Sequence, residues 1–154
     1  NNINNFHYKK FIAPSSMKKN ILNDNLIIDV NDIMEKIDKK IFLKIDIEGS
    51  EYRILDQILN NANKINGLVI EFHDFDLHQK IVKNFIEGFE LKLVHMHVNN
   101  FGTIDKDGVP SVVELTFSSV EFTNNDLIND KIYPVENLDN PCNKNDIDHK
   151  IIFN

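Results

Sequence analysis

The 154-residue chain is 42% hydrophobic and 27% charged, which is enough apolar material for one domain with a core. Its formal net charge of -7 removes the electrostatic case for nucleic acid or an anionic membrane as partner. No run approaches the roughly 18 apolar residues of a membrane helix, no leader pattern is visible, and a single cysteine, Cys142, excludes an internal disulfide framework and points to a reducing compartment, the cytoplasm.

The composition is biased towards Asn, Ile and Lys, with Arg53 the only arginine, so individual asparagines carry little functional weight. The chain opens on Asn1, which suggests a removed leader or a piece of something longer. Residues 1–25 read as a loop-rich or poorly ordered lead-in, with "NNINN" and "NILNDN" as turn material. Residues 26–120 read as the folded region and 121–154 as a C-terminal tail lying over it.

Within the folded region, "LIIDV" (26–30) is a short apolar run, and Asn31 or Asp32 is placed to cap a helix "DIMEKIDKK". "IFLKIDI" (41–47) is almost continuously apolar or β-branched, as in a strand buried on both faces. After Gly49, the residues Tyr52, Leu55, Ile58 and Leu59 fall at helical spacing. "GLVIEF" (67–72) predicts a second buried strand and "DLHQKIVKNFIEGF" (76–89) an amphipathic helix. "ELKLVHMHV" (90–98) alternates, which puts Leu91, Leu93, His95 and His97 on one face. A turn-rich loop and the strand "SVVELTFSS" (111–119) follow without an intervening helix, so these two strands should pair antiparallel. The fold class is therefore α/β, a parallel sheet with an antiparallel edge.

Ligands of open α/β sheets bind beyond the carboxyl ends of the parallel strands. Asp46 and Glu48 end the first strong strand, and Glu71 and His73 the second. His95, His97, Asn99 and Asn100 lie at the end of the third. Carboxylates, imidazoles and amides gathered at one rim suit either of two chemistries. One is removal of a proton from a hydroxyl, and the other is a divalent ion held by oxygen and nitrogen. No phosphate loop, Gly-x-Ser-x-Gly elbow or Cys-x-x-Cys pair is present.

The segment "FLKIDIEGSEYRIL" (42–55) resembles the Lys-Ile-Asp-Ile-Glu-Gly-x-Glu hallmark of the FkbM family of S-adenosylmethionine-dependent methyltransferases. "LVIEFH", "HMHVNNFG", "VVELTF" and "YPVENLDNPCN" are similar to later segments of that family in the same order. The resemblance implies the C-terminal half of a class I (Rossmann-like) methyltransferase sheet, whose terminal strands form the antiparallel hairpin. It implies O-methylation of a hydroxyl on a small-molecule or glycan acceptor, a sugar or other natural product. "IFLKIDIE" would be the fourth strand of that fold.

The donor would rest mainly on earlier strands with a glycine-rich turn, and the five glycines, at 49, 67, 88, 102 and 108, form no such turn. The chain is then expected to be a fragment, inactive alone. By position, Asp46, Glu48, His73 and His97 become the candidate catalytic residues, with Asp46 also at the donor-facing edge. Asp46 and Glu71 are the candidate ligands of a divalent metal, and His73 or His97 the candidate base. The rival is a non-catalytic α/β remnant or binding module that keeps only the acceptor rim.

Overall fold

A computed structural model describes residues 9–18, 27–122 and 132–152. Most of the expected lead-in over 1–25, and the start of the tail, lie outside the described residues.

Strand β1 (Phe11–Ile12) pairs in parallel with β2 (Ile27–Ile28), and the short helix α1 (Ser15–Lys18) follows β1. Helix α2 (Val30–Met34) starts earlier than expected, because Asp29 is the capping residue. The Asp29 side chain accepts from the Asp32 N–H at 2.8 Å, and the Asp29 N–H donates in return to the Asp32 carboxylate, a reciprocal capping box. Gln57 accepts the Val30 N–H at 3.0 Å, and the Lys64 ammonium donates to the Met34 carbonyl at 2.7 Å. Both ends of this short helix are thereby anchored, one by Gln57 and the other by Lys64.

The main sheet contains β3 (Ile41–Ile45), β4 (Ile65–Phe72), β5 (Lys92–Val98) and β6 (Val113–Ser118), in the order β3-β4-β6-β5. β3 and β4 are parallel, joined through a 3-10 turn at Glu51–Arg53 and helix α3 (Leu55–Asn60). Helix α4 (Phe75–Gly88) carries the chain from β4 to β5, and β6 runs antiparallel to both β4 and β5. The hairpin is therefore as expected, but the antiparallel strand is not at the edge. β6 lies inside the sheet, and β5 is the edge strand.

Helices α2, α3 and α4 lie on one face. Ile45, Leu68, Ile70, Phe72, Val113, Leu115 and Phe117 of the sheet meet Met34, Ile54, Leu55, Ile58, Val82 and Phe85 in one buried cluster. Phe85 sits edge-on to Phe72 and Phe117, with ring centroids at 6.2 and 5.6 Å, the favoured geometry for aromatic neighbours.

The opposite face corrects a second expectation. β3 is not buried on both sides, because Phe42 is 66% exposed and Lys44 is exposed too. Gly67 makes room for Phe42, since a Cβ there would come within 2.7 Å of the ring. A register shift between Leu93 and His95 corrects a third. Leu93 pairs with Phe117 on the core side, whereas His95 pairs with Thr116 and His97 with Glu114 on the open side. The extra residue, Val94, breaks the alternation.

The one-sidedness makes a prediction. Phe117→Ala should destabilise the chain by about 3–5 kcal/mol, and Phe42→Ala by no more than about 0.5 kcal/mol. Denaturant unfolding measures both, and equal losses would contradict a single packed face.

Candidate functional site

The chain leaves β3 through two consecutive residues in the left-handed region, Glu48 (φ 54°) and Gly49 (φ 91°). Such a reversal exposes several backbone N–H groups, and the fully buried carboxylate of Glu51 collects them. It accepts from Ile47 at 3.1 Å and from Gly49 at 3.1 and 3.2 Å. Glu51 is thus not only the helix-start acid that its place in the sequence suggests.

The next residue reaches β4. The Tyr52 hydroxyl donates to the His73 carbonyl at 2.6 Å, and its ring stacks on His78 at 4.1 Å between centroids. Burial, reinforced by the charge of Glu51, raises the Tyr52 phenol well above its ordinary value, so it acts here as a neutral donor.

His73 is the meeting point. Its Nδ1 is 3.2 Å from Glu51 Oε1, while its Nε2 is 3.3 Å from Glu48 Oε2 and 3.6 Å from Glu71 Oε1. Asp46, Glu48 and His73 each bring one ligand-type atom within 4.8 Å of the others. Asn99, at the end of β5, donates to Glu71 at 3.0 Å. The structure therefore gathers Asp46, Glu48, Glu71 and His73 at the carboxyl end of β3 and β4.

His97 is elsewhere. Glu71 and His97 both flank Glu114 across the sheet, so they stand two strand spacings apart, roughly 10 Å. His97 is held by Asp148 at 3.0 Å, and His95 by Asp139 at 2.7 Å. Asn100 is buried and donates to the Asn143 carbonyl while accepting the Asn143 N–H. These contacts lay residues 139–148 along the open face of the sheet. On the same face, Lys44 pairs with Glu114 at 3.1 Å, which raises the Lys44 ammonium.

An open cavity of about 490 Å³ adjoins the rim. Phe11, Ile12, Ile28, Ile33 and Ile47 line it, with Lys10, Glu48 and Ser50. Glu48 is common to the cavity and the carboxylate cluster.

Among known proteins, the sequence model of the Methyltransferase FkbM domain matches residues 24–93. That stretch contains the turn, Glu51, Glu71 and His73, and the match bears out the resemblance carried by "FLKIDIEGSEYRIL". No curated protein and no solved structure matches the chain. No helix among the described residues is long and apolar enough to cross a membrane.

The turn and the tail each give a prediction. A Cβ on Gly49 would meet nothing within 4 Å, so Gly49→Ala isolates the backbone effect and should cost about 1–2 kcal/mol in an unfolding titration. A neutral result there would contradict the left-handed turn. Cys142 is exposed as a residue, but desolvation of its thiol, with Glu71, Asp148 and Glu114 nearby, pushes it up. Its thiolate fraction at pH 8 is then below that of a free cysteine, and iodoacetamide should alkylate it more slowly. Faster labelling than free cysteine would contradict that electrostatic setting.

Proposed function

We propose that this chain carries the acceptor side of an S-adenosylmethionine-dependent O-methyltransferase acting on a hydroxyl of a sugar or related small molecule. The observation that carries the reading is His73. A histidine at the end of β4, within the stretch that matches the FkbM domain, turns Nε2 to a carboxylate-lined rim.

The residues fit part of such a donor. The apolar walls of the cavity suit a flat adenine, and Ser50 is a polar partner for a ribose hydroxyl. When bound, S-adenosylmethionine supplies an electrophilic methyl group on a sulfonium. The chain must hold an acceptor oxygen against that methyl and remove its proton. An alcohol is about as weak an acid as water, so the proton has to leave as the new carbon–oxygen bond forms and the methyl–sulfur bond breaks, its electron pair staying on sulfur. His73 Nε2 takes it in this reading. Asp46 and Glu48, both exposed, hydrogen-bond the acceptor's hydroxyls and orient it. Glu71 is held by Asn99 and faces the ring edge that receives the proton.

The same atoms have one alternative use. Asp46, Glu48 and His73 together offer oxygen and imidazole ligands to a divalent cation such as Mg²⁺ or Mn²⁺, which would polarise the acceptor hydroxyl. An ion on His73 Nε2 would exclude that atom as base, so the two uses are separable.

In the protein that carries this chain, transfer of labelled methyl from S-adenosylmethionine to a panel of saccharides tests the proposal. His73→Gln should lower turnover by about 10²–10⁴-fold, with the donor KM little changed. Asp46→Asn should lower it by about 10²-fold, equivalent to about 2.7 kcal/mol. Unchanged turnover in His73→Gln removes the imidazole from the chemistry. Loss of wild-type activity in a chelator, restored by Mn²⁺, selects the metal over the base.

A further inference from the structure

We infer that Glu51 is a positioning residue that locks His73 in one tautomer, with the proton on Nδ1, and so makes Nε2 the atom presented to the rim. Glu51 has no exposed surface, and its oxygens already receive the N–H groups of Ile47 and Gly49. An ionised carboxylate only accepts hydrogen bonds. The His73 Nδ1 at 3.2 Å therefore carries a hydrogen towards it, and in the neutral ring the lone pair is left on Nε2.

The competing arrangement would place the hydrogen on Nε2, facing Glu48 or Glu71. Burial decides between the two. The Glu48 side chain is 83% exposed, so water screens that pair and competes for both groups. Glu71 lies 3.6 Å from Nε2, beyond hydrogen-bond distance. Glu51 is sealed from water, so a ring lone pair turned to it would face the carboxylate's charge unscreened. The buried partner wins.

The neighbouring residue completes the device, because the Tyr52 hydroxyl holds the His73 main chain at 2.6 Å. Two adjacent residues of the β3 turn thus fix one histidine of β4, Glu51 by its ring and Tyr52 by its carbonyl. A histidine whose second nitrogen is tied to a carboxylate is oriented whether it serves as base or as ligand. The inference rests on the methyl-transfer reading only for the task of Nε2, whereas the tautomer stands or falls independently of any activity.

Long-range ¹H–¹⁵N correlation of the imidazoles in the ¹⁵N-labelled chain tests it, recorded through a pH series with the tautomer read at the alkaline limit. The His73 signals are assigned by their loss in His73→Asn. His73 should show a protonated Nδ1 and a bare Nε2. In Glu51→Gln, with its fold checked by the backbone amide spectrum, a neutral amide replaces the charged acceptor. The tautomer ratio should then move towards Nε2–H by about tenfold, the difference between a charge-assisted and a neutral hydrogen bond. A wild-type ring protonated on Nε2, or an unmoved ratio in folded Glu51→Gln, overturns the inference. Should Glu51→Gln fail to fold, the wild-type tautomer decides alone. Loss of methyl transfer with the tautomer as described would count against the functional reading and leave the positioning role intact.

Discussion

A buried carboxylate is expensive unless donors surround it, and the geometry at the end of β3 follows from that constraint. Glu51 can be buried because the reversal at Glu48 and Gly49 points the N–H groups of Ile47 and Gly49 at it. The reversal is tolerable in turn because Glu51 satisfies the groups it exposes. Each half depends on the other. The arrangement also needs β3 and β4 parallel and adjacent, since His73 comes from the end of the second strand. One charge thus couples the turn, the strand pairing and the placement of the imidazole.

The sheet divides the labour between its faces. One carries the aromatic and aliphatic core under α2, α3 and α4. The other carries Lys44, Glu71, Glu114, His95 and His97, polar groups in mutual contact or held by the C-terminal segment. The carboxylate-lined rim lies where this polar face runs past the strand ends. Side chains there are anchored from the core side but open to a ligand on the other, a combination that precise positioning requires.

The elements were legible because each leaves a local trace. The helix-separated apolar runs gave parallel β3 and β4, and the helix-free connection gave the hairpin. Asp46, Glu71 and His73 stood out as polar residues ending apolar strands. What escaped was long in range or smaller than a period. The bulge at Val94 moves Leu93 to the other face, and one inserted residue has no signature in an alternating string. That β6 would enter between β4 and β5 depends on pairing partners 47 residues apart in the case of Val69 and Thr116. Likewise, the links of His95 to Asp139 and His97 to Asp148 join residues 44 and 51 positions apart. Glu51 was visible as an acid two residues after Gly49, but its burial was not. A first-turn glutamate on a surface helix reads the same way.

The interior place of β6 bears on how the chain comes to be folded. β4 and β5 never touch as strands; each is hydrogen-bonded to β6. During synthesis β5 emerges first and has no strand to pair with until residues 113–118 are made; it then closes as a hairpin, whereas β4 pairs with β6 across 41 positions at Phe72 and Val113 and 51 at Gly67 and Ser118, a non-local event of the slow kind. The stretch that matches the FkbM domain ends at residue 93, before β6 begins. A recombinant piece cut at that limit would hold the turn and His73 but leave one side of β4 as a bare hydrophobic edge, an invitation to aggregate. The limits of a sequence family and those of a unit able to fold are different boundaries in this molecule.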